Sequence, residues 1–207
     1  MRSRRLVAPG AFELALESHT DRRGEFVEWF KAAEFRTALG RPLAVAQANL
    51  SVSARGVLRG IHYTAVPPGQ GKLVICVAGR VVDAVVDLRV GSPAFGSAEL
   101  IPLDARERHA VWIPEGLGHA FLALEDDSIV SYLCTAEYDP SRERAVHPLD
   151  PTLAIPWPNR PDRTTAPEPD DGDASGFGWP ILSERDSQAP TLHESQAAGM
   201  LPNFAPI

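Results

Sequence analysis

Between about residues 44 and 135 the chain consists of short runs of apolar, often β-branched residues separated by glycine and proline. Runs of this length and spacing are typical of an all-β sandwich or barrel. The pattern predicts strands at 44–52, 57–63, 72–78, 80–88, 97–103, 110–113, 119–124 and 128–135. Because only Gly79 separates the third run from the fourth, we expect a tight hairpin there.

The run over 80–88 divides unevenly between the two faces of a strand. One face is wholly apolar, whereas the other carries the carboxylates of Asp83 and Asp87 between valines. A carboxylate on a central strand lies either at the rim of the sheet or in a wet cavity. Asp83 is therefore a candidate site residue.

Outside the β region the patterns are shorter. Residues 31–40 have the amphipathic spacing of a helix that ends at Gly40, and residues 191–200 predict a second short helix. Residues 159–180 are rich in proline, aspartate and glycine, which predicts a surface loop inserted into one domain over 1–207.

Composition narrows the class of protein. The 207 residues are 44% hydrophobic and 23% charged, with a formal net charge of −7, which disfavours a general nucleic-acid binder. No stretch approaches the ~20 apolar residues of a membrane span, and the first residues turn polar too early for a signal peptide, so we expect a cytoplasmic protein. The two cysteines, Cys76 and Cys134, have no metal-binding spacing and are expected to be buried free thiols.

The segment from Pro114 to His119 has the P-x-G-x-x-H spacing of the second cupin motif, which favours a cupin-like jelly roll. Metal-binding cupins also carry an HxH pair, but His62 is followed by Tyr63 and Thr64, so a metal site is not expected. Arg59 and Lys72 predict a basic pocket for an anionic substrate, although Arg59 and His62 would face opposite sides of a regular strand.

Several longer motifs occur in a characteristic order between residue 21 and about Asp186. They are DRRGEFVEWF, GVLRGIHYTAVPPGQGKLVICVAGRVVDAVVDLRVGSPAFG, VWIPEGLGHAF, SYLCTAEYDPSRE, LDPTLAIPWP and ILSERD. In these motifs the chain resembles the dTDP-4-dehydrorhamnose 3,5-epimerase family. GIHYT and PPGQGK are similar to the branch that makes deoxysugars for natural products such as antibiotics.

The resemblance implies a mainly β, cupin-like jelly roll with a few short helices, free of metal and cofactor and assembled as a homodimer whose nucleotide site borrows residues from the neighbour. It also implies inversion of C3, C5 or both in a dTDP-4-keto-6-deoxyhexose. The C4 ketone acidifies the protons on both carbons, so inversion needs a base on one face, stabilisation of the enolate, and an acid on the other face.

By the same resemblance, His62 is the base, Asp186 orients it, Tyr132 is the opposing acid and Lys72 stabilises the enolate. Histidine suits a base because its ordinary pKa is near neutrality, and a phenol suits the acid because it is protonated at pH 7. The implied substrate-binding residues are Arg23 and Arg59 on the diphosphate, Tyr138 stacked on the base, and Glu28, Gln47, Asn49, His119, Glu143 and Arg185.

The motifs leave several alternatives open. They do not choose between inversion of one carbon and inversion of two. A cupin that binds a nucleotide sugar without catalysis and a metal-dependent cupin enzyme are rivals from other classes. Asp83 is the alternative partner for His62 if Asp186 lies elsewhere.

Overall fold

The fold is given by a computed structural model, which describes residues 2–159 and 179–205. Most of the predicted surface loop at 159–180 lies outside the described residues. In the described part no helix is long and apolar enough to cross a membrane. Both cysteines are buried and free, as predicted.

Thirteen strands and three short helices are described. In chain order they are β1 (Arg2–Arg5), β2 (Phe12–Ala15), β3 (Ser18–Asp21), β4 (Gly24–Val27), α1 (Ala32–Leu39), β5 (Gln47–Ser53), β6 (Leu58–Thr64), β7 (Lys72–Ala78), β8 (Arg80–Asp87), β9 (Ala98–Asp104), β10 (His109–Ile113), β11 (Leu117–Ala123), β12 (Ser128–Cys134), β13 (Glu143–Ala145), α2 (Glu184–Ser187) and α3 (Leu192–Ala197).

The strands form two large antiparallel sheets and one separate hairpin. One sheet has the order β1-β2-β10-β7-β12-β5, the other has the order β13-β6-β11-β8-β9, and β3 pairs with β4 and with no other described strand. If the strands from β5 to β12 are numbered one to eight, the strand order is 1-8-3-6 in one sheet and 2-7-4-5 in the other. This is the strand order of a jelly roll, so the predicted mainly β fold class is confirmed.

Three apolar clusters hold the layers together. The first lies between the sheets and includes Val74, Val85 and Phe121. The second covers the outer face of the five-stranded sheet with C-terminal residues such as Leu201, and the third packs α1 on the outer face of the six-stranded sheet through Phe35. These clusters therefore shelter most of both sheets from solvent. The part of the space between the sheets that they do not fill is left as a place for a binding site.

All eight predicted strands and both predicted helices exist, with ends that differ by at most three residues. The prediction of a hairpin at Gly79 was wrong, because β7 and β8 lie in different sheets. A hairpin turn uses at least two residues, whereas the single Gly79, with φ of 68°, turns the chain across the corner from one sheet to the other. A side chain there would meet Ser128 at 2.5 Å.

Candidate active site between the two sheets

A cavity of about 390 Å³ lies between the two sheets. The five-stranded sheet contributes Arg59 and His62 from β6 and His119 from β11. The facing six-stranded sheet contributes Lys72 from β7 and Tyr132 from β12. A ligand in the cavity is thus flanked by histidines on one side and by a phenol and an ammonium group on the other.

The segment around α2 forms a third wall and adds Arg185 and Asp186. Ile181 ties this segment to the beginning of β6, because its carbonyl accepts a hydrogen bond from Leu58 N–H at 2.9 Å. Ser183 then caps α2 by accepting a hydrogen bond from Asp186 N–H at 3.1 Å. This tether and cap place the Asp186 carboxylate beside β6.

His62 and Asp186 form a close pair in the cavity. The His62 Nε2 atom lies 2.6 Å from Asp186 Oδ1, and Gly60 N–H donates to Asp186 Oδ2 at 3.4 Å. Burial opposes ionisation of Asp186, but the hydrogen bond and charge of His62 and the Gly60 N–H outweigh it and lower the pKa of the carboxyl below its ordinary value. The predicted pairing of His62 with Asp186, not Asp83, is confirmed.

An irregularity in β6 brings Arg59 and His62 to the same cavity. His119 lies opposite His62 and Phe121 lies opposite Arg59, so three steps on β6 match two on β11. The extra residue is accommodated at Gly60, where φ is 109° and a side chain would collide with the His119 carbonyl oxygen. The expectation of opposite faces for Arg59 and His62 was therefore wrong, because it assumed a regular strand.

Burial changes the pKa values of Tyr132 and Lys72. Burial is the main reason that the pKa of the Tyr132 phenol is raised, so the phenol remains protonated at neutral pH. Burial lowers the pKa of the Lys72 ammonium, and the negative charges of Glu143 and Asp83 oppose that change. Within the described residues, neither the Lys72 ammonium nor the Tyr132 hydroxyl has a hydrogen-bond partner, so both are free to meet a ligand.

His119 is paired with a second carboxylate, that of Asp83. Its Nε2 atom lies 2.6 Å from Oδ2 of Asp83, which is fully buried on β8. Asp83 is therefore inside the jelly roll and not at its rim. The sequence marked Asp83 as a candidate but did not indicate His119 as its partner.

The remaining predicted contacts divide into two groups. Gln47 and Asn49 lie on β5 and are joined by a hydrogen bond of 2.7 Å, and Gln47 also accepts from Tyr138 N–H at 2.8 Å. On the other side of the site, Glu143 of β13 accepts a hydrogen bond from Thr64 of β6 at 2.7 Å. None of these four predicted residues lines the cavity directly.

Arg23 and Glu28 lie apart from the cavity. Arg23 sits in the turn between β3 and β4, where its side chain is 84% exposed and paired with Asp21. Glu28 follows β4 and pairs with Lys31 at 3.3 Å. In one chain these two residues do not join the predicted site.

Sequence reasoning missed several residues of the cavity wall. Ser51 and Phe121 line it, as do apolar residues of the segment that precedes α2. The sequence pattern could have identified Ser51, because half-buried and exposed residues alternate along β5 and Ser51 shares the half-buried face with Gln47 and Asn49.

Among the described residues there is no group of three or more histidine, cysteine, aspartate or glutamate side chains arranged to hold a metal ion.

Comparisons with known proteins agree on one family. The model for dTDP-4-dehydrorhamnose 3,5-epimerase matches residues 5–194. The chain is 50% identical over 205 residues to a dTDP-4-dehydrorhamnose 3,5-epimerase of Mycolicibacterium smegmatis, covering 99% of this chain and 92% of that protein.

Solved structures give the same result. An rmlC epimerase of Mycobacterium tuberculosis has a TM-score of 0.89 at 45% identity and covers 99% of this chain and 94% of its own. A 3′-monoepimerase of Streptomyces bikiniensis in complex with dTDP-quinovose has a TM-score of 0.85 at 46% identity, covering 98% of this chain and 93% of that one. The similar proteins thus include both a 3,5-epimerase and a monoepimerase.

Proposed function

This chain belongs to the dTDP-4-dehydrorhamnose 3,5-epimerase family, and from that premise we propose how its cavity inverts a carbon beside a C4 ketone. The enzyme is an isomerase of deoxysugar biosynthesis that acts at C3, C5 or both in a dTDP-4-keto-6-deoxyhexose. The observation that carries the assignment of roles is the His62–Asp186 pair at 2.6 Å, facing Tyr132 across the space between the sheets.

His62 is the base in this proposal. Because Asp186 is ionised, it accepts the Nε2–H of His62, and Nδ1 is left as the unprotonated nitrogen of a ring that lines the cavity. Nδ1 takes the proton from the carbon beside the ketone, and the electron pair of the C–H bond moves into the enolate. Asp186 stabilises the imidazolium that forms, as a carboxylate does in other His–Asp pairs.

Tyr132 returns a proton from the opposite face. It comes from the sheet that faces His62, and its raised pKa keeps the phenol protonated until a carbanion-like carbon accepts the proton. The C–H bond then forms on the side opposite to the one that was broken, which inverts the carbon. Before the next turnover, the His62 imidazolium releases its proton to solvent and the Tyr132 phenolate takes up a proton from solvent.

Lys72 stabilises the enolate oxygen. Its side chain is buried and lines the cavity, and its ammonium group has no hydrogen-bond partner among the described residues, so it is available to an oxygen of the sugar. In a site of low dielectric constant, a positive charge placed before the reaction stabilises developing negative charge more strongly than water does.

Arg59 and Arg185 provide the positive charge for the diphosphate at the cavity wall. Arg59 is already held by Ser53 at 3.1 Å and by the Val52 carbonyl at 3.2 Å, so its guanidinium group is positioned before a ligand binds. Gln47, Asn49 and Tyr138 are assigned to the nucleotide, and His119 and Glu143 to the sugar end.

A homodimer completes the site in this proposal. β3 and β4 pair only with each other in the described chain, and Phe26 on this hairpin is 64% exposed. β5 is an edge strand whose outward residues Leu50 and Val52 are 63% and 50% exposed. An apolar, unpaired edge of this kind is usually covered by a partner. A second copy there would carry the partner's hairpin, with Arg23 and Glu28, toward a neighbouring nucleotide.

We place the enzyme in the cytoplasm. Two buried free thiols suit a reducing compartment, and the nucleotide-sugar substrate is a small soluble molecule. The partners we propose are the substrate and a second copy of the chain, and neither nucleic acid nor a membrane takes part.

The first experiment is incubation of the enzyme with a dTDP-4-keto-6-deoxyhexose in D₂O, followed by NMR of the sugar. We expect deuterium at each inverted carbon, at both C3 and C5 for a double epimerase and at one of them for a monoepimerase. His62→Ala abolishes exchange at every position, because the first proton is not removed. His193→Ala, which changes an exposed histidine of α3, is the matched control and retains exchange.

Tyr132→Phe separates the two half-reactions. Exchange continues in part, because His62 still removes the proton, but inversion is suppressed, because the donor on the opposite face is missing. If folded wild-type enzyme binds several dTDP-4-keto sugars and incorporates no deuterium, the proposed function is wrong.

A further inference from the structure

Asp83 is a buried charged residue that the roles assigned above do not use. It lies in the middle of β8, is fully buried, and shares its face with Val81 and Val85 of the cluster between the sheets. A carboxylate in such surroundings is costly to keep ionised, and an apolar residue of similar size often serves packing as well or better. Its presence therefore calls for a role beyond packing.

The geometry ties Asp83 to a single side chain. Its Oδ2 atom lies 2.6 Å from His119 Nε2, and among the described residues its Oδ1 atom is buried without a hydrogen-bond partner. Asp83 lies opposite Phe121 on the neighbouring strand, and His119, two residues from Phe121, shares that face. The strand pairing thus brings the imidazole over the carboxylate, and no other described side chain bonds to it.

The pair is placed beside the proposed base. His119 and His62 are direct partners across β11 and β6, so their side chains leave the sheet next to each other. Each histidine binds its own aspartate through Nε2, His62 to Asp186 and His119 to Asp83. In each ring, Nδ1 is therefore the nitrogen that no described residue engages.

We propose that Asp83 is a positioning residue for the epimerisation, acting through His119. It fixes the tautomer of His119 with hydrogen on Nε2 and directs the unprotonated Nδ1 to the sugar, where Nδ1 accepts a hydrogen bond from a hydroxyl group and holds the reacting C–H bond toward His62. The inference rests on the proposed function, since it assumes that His119 faces the reacting sugar. Because the alignment of this C–H bond matters most in the transition state, loss of Asp83 affects kcat more than KM.

Asp83→Asn tests the proposal, because it removes the charge and keeps the shape. We expect kcat to fall by about 10- to 100-fold, the usual effect of losing a group that orients a functional histidine, with KM changed by less than about threefold. Asp87→Asn is the matched control, since Asp87 is a buried carboxylate on the same strand that binds Arg89 and Ser92 instead. It lowers the melting temperature and leaves kcat within about twofold of wild type.

A double-mutant cycle asks whether Asp83 acts through His119. In a His119→Gln background, Asp83→Asn is expected to change kcat by less than about twofold, because the group it positions is gone. An undiminished effect in that background, or a kcat of Asp83→Asn equal to that of wild type, would overturn the proposal.

A spectroscopic measurement on the wild-type enzyme keeps the test independent of variant folding and of activity. With ¹⁵N-labelled histidine, we expect His119 to carry hydrogen on Nε2, and its assignment follows from the signal lost in His119→Gln. Hydrogen on Nδ1 with Nε2 unprotonated would contradict the proposal. If the tautomer is as expected but wild-type enzyme incorporates no deuterium, the proposed function has failed and the Asp83–His119 pairing has not.

Discussion

Replacing Asp186 with asparagine removes one charge from the site and keeps the size of the side chain. The Asp186 carboxylate lies 2.6 Å from His62 Nε2 and is 4% exposed, whereas the His62 side chain is 31% exposed. The carboxylate therefore acts on a ring that is partly open to solvent. We expect Asp186→Asn to fold and to be slow in removing the first proton.

The magnitude follows from the charge that forms on His62. With charge centres about 4 Å apart and an effective dielectric constant of about 20, the attraction is about 4 kcal/mol. Solvent at the exposed third of the His62 ring reduces this to roughly 2 kcal/mol, which corresponds to roughly a 30-fold loss in kcat. If the asparagine amide also donates to Nε2, Nδ1 becomes protonated and the loss approaches about 10⁴-fold.

The assay is deuterium incorporation from D₂O, followed by NMR with the substrate in excess. Asp150→Asn is the control, because Asp150 is a buried carboxylate that accepts hydrogen bonds from Thr152 N–H at 2.7 Å and from Leu192 N–H at 2.5 Å, away from the cavity. It lowers the melting temperature and leaves exchange near the wild-type rate. A folded Asp186→Asn enzyme with less than a threefold loss in exchange would refute the role given to Asp186.

Three further outcomes are expected. Lys72→Met lowers kcat by about 10²- to 10³-fold in steady-state kinetics with little change in KM, because the enolate loses its positive partner; an unchanged kcat would contradict that role. Leu50→Glu shifts light scattering from a dimer toward a monomer, because it charges the exposed edge of β5, and a wild-type monomer would refute the shared site. The pKa of Asp186 is lowered from 3.8 in the folded protein. The Asp186 carboxylate therefore adds to the free energy of unfolding above about pH 4, and this contribution is lost as the pH falls through the pKa of the folded protein. The melting temperatures of wild type and Asp186→Asn should therefore converge in acid; a constant difference down to pH 3 would contradict this reasoning.

Long apolar runs determined most of the jelly roll from sequence. β7 was predicted over 72–78 and lies at Lys72–Ala78, because a strand buried on both sides needs an unbroken apolar run. The shortest strands were not predicted. β1, β2, β3 and β4 have four residues each, and β13 has three, too few for an alternating pattern to stand out from a loop.

The roles of the site residues came from motifs and not from spacing. His62, Lys72 and Tyr132 were named because their surroundings resemble a family, and the structure brings all three to one cavity. Arg23 and Glu28 were named on the same ground, but one chain holds them away from that cavity. A motif identifies a residue, whereas its distance from the site depends on the fold and on assembly.

The sequence alone determined the eight strands from β5 to β12, the helices α1 and α3, and which residue types carry the chemistry, because these depend on local periodicity and side-chain identity. Only the tertiary structure decided which aspartate serves which histidine. His62 and Asp186 are 124 residues apart, and His119 and Asp83 are 36 apart. Strand pairing, the extra residue in β6 and the tether at Ile181 bring them together. Contacts between segments so distant in sequence follow from how the sheets pack, which no local pattern contains.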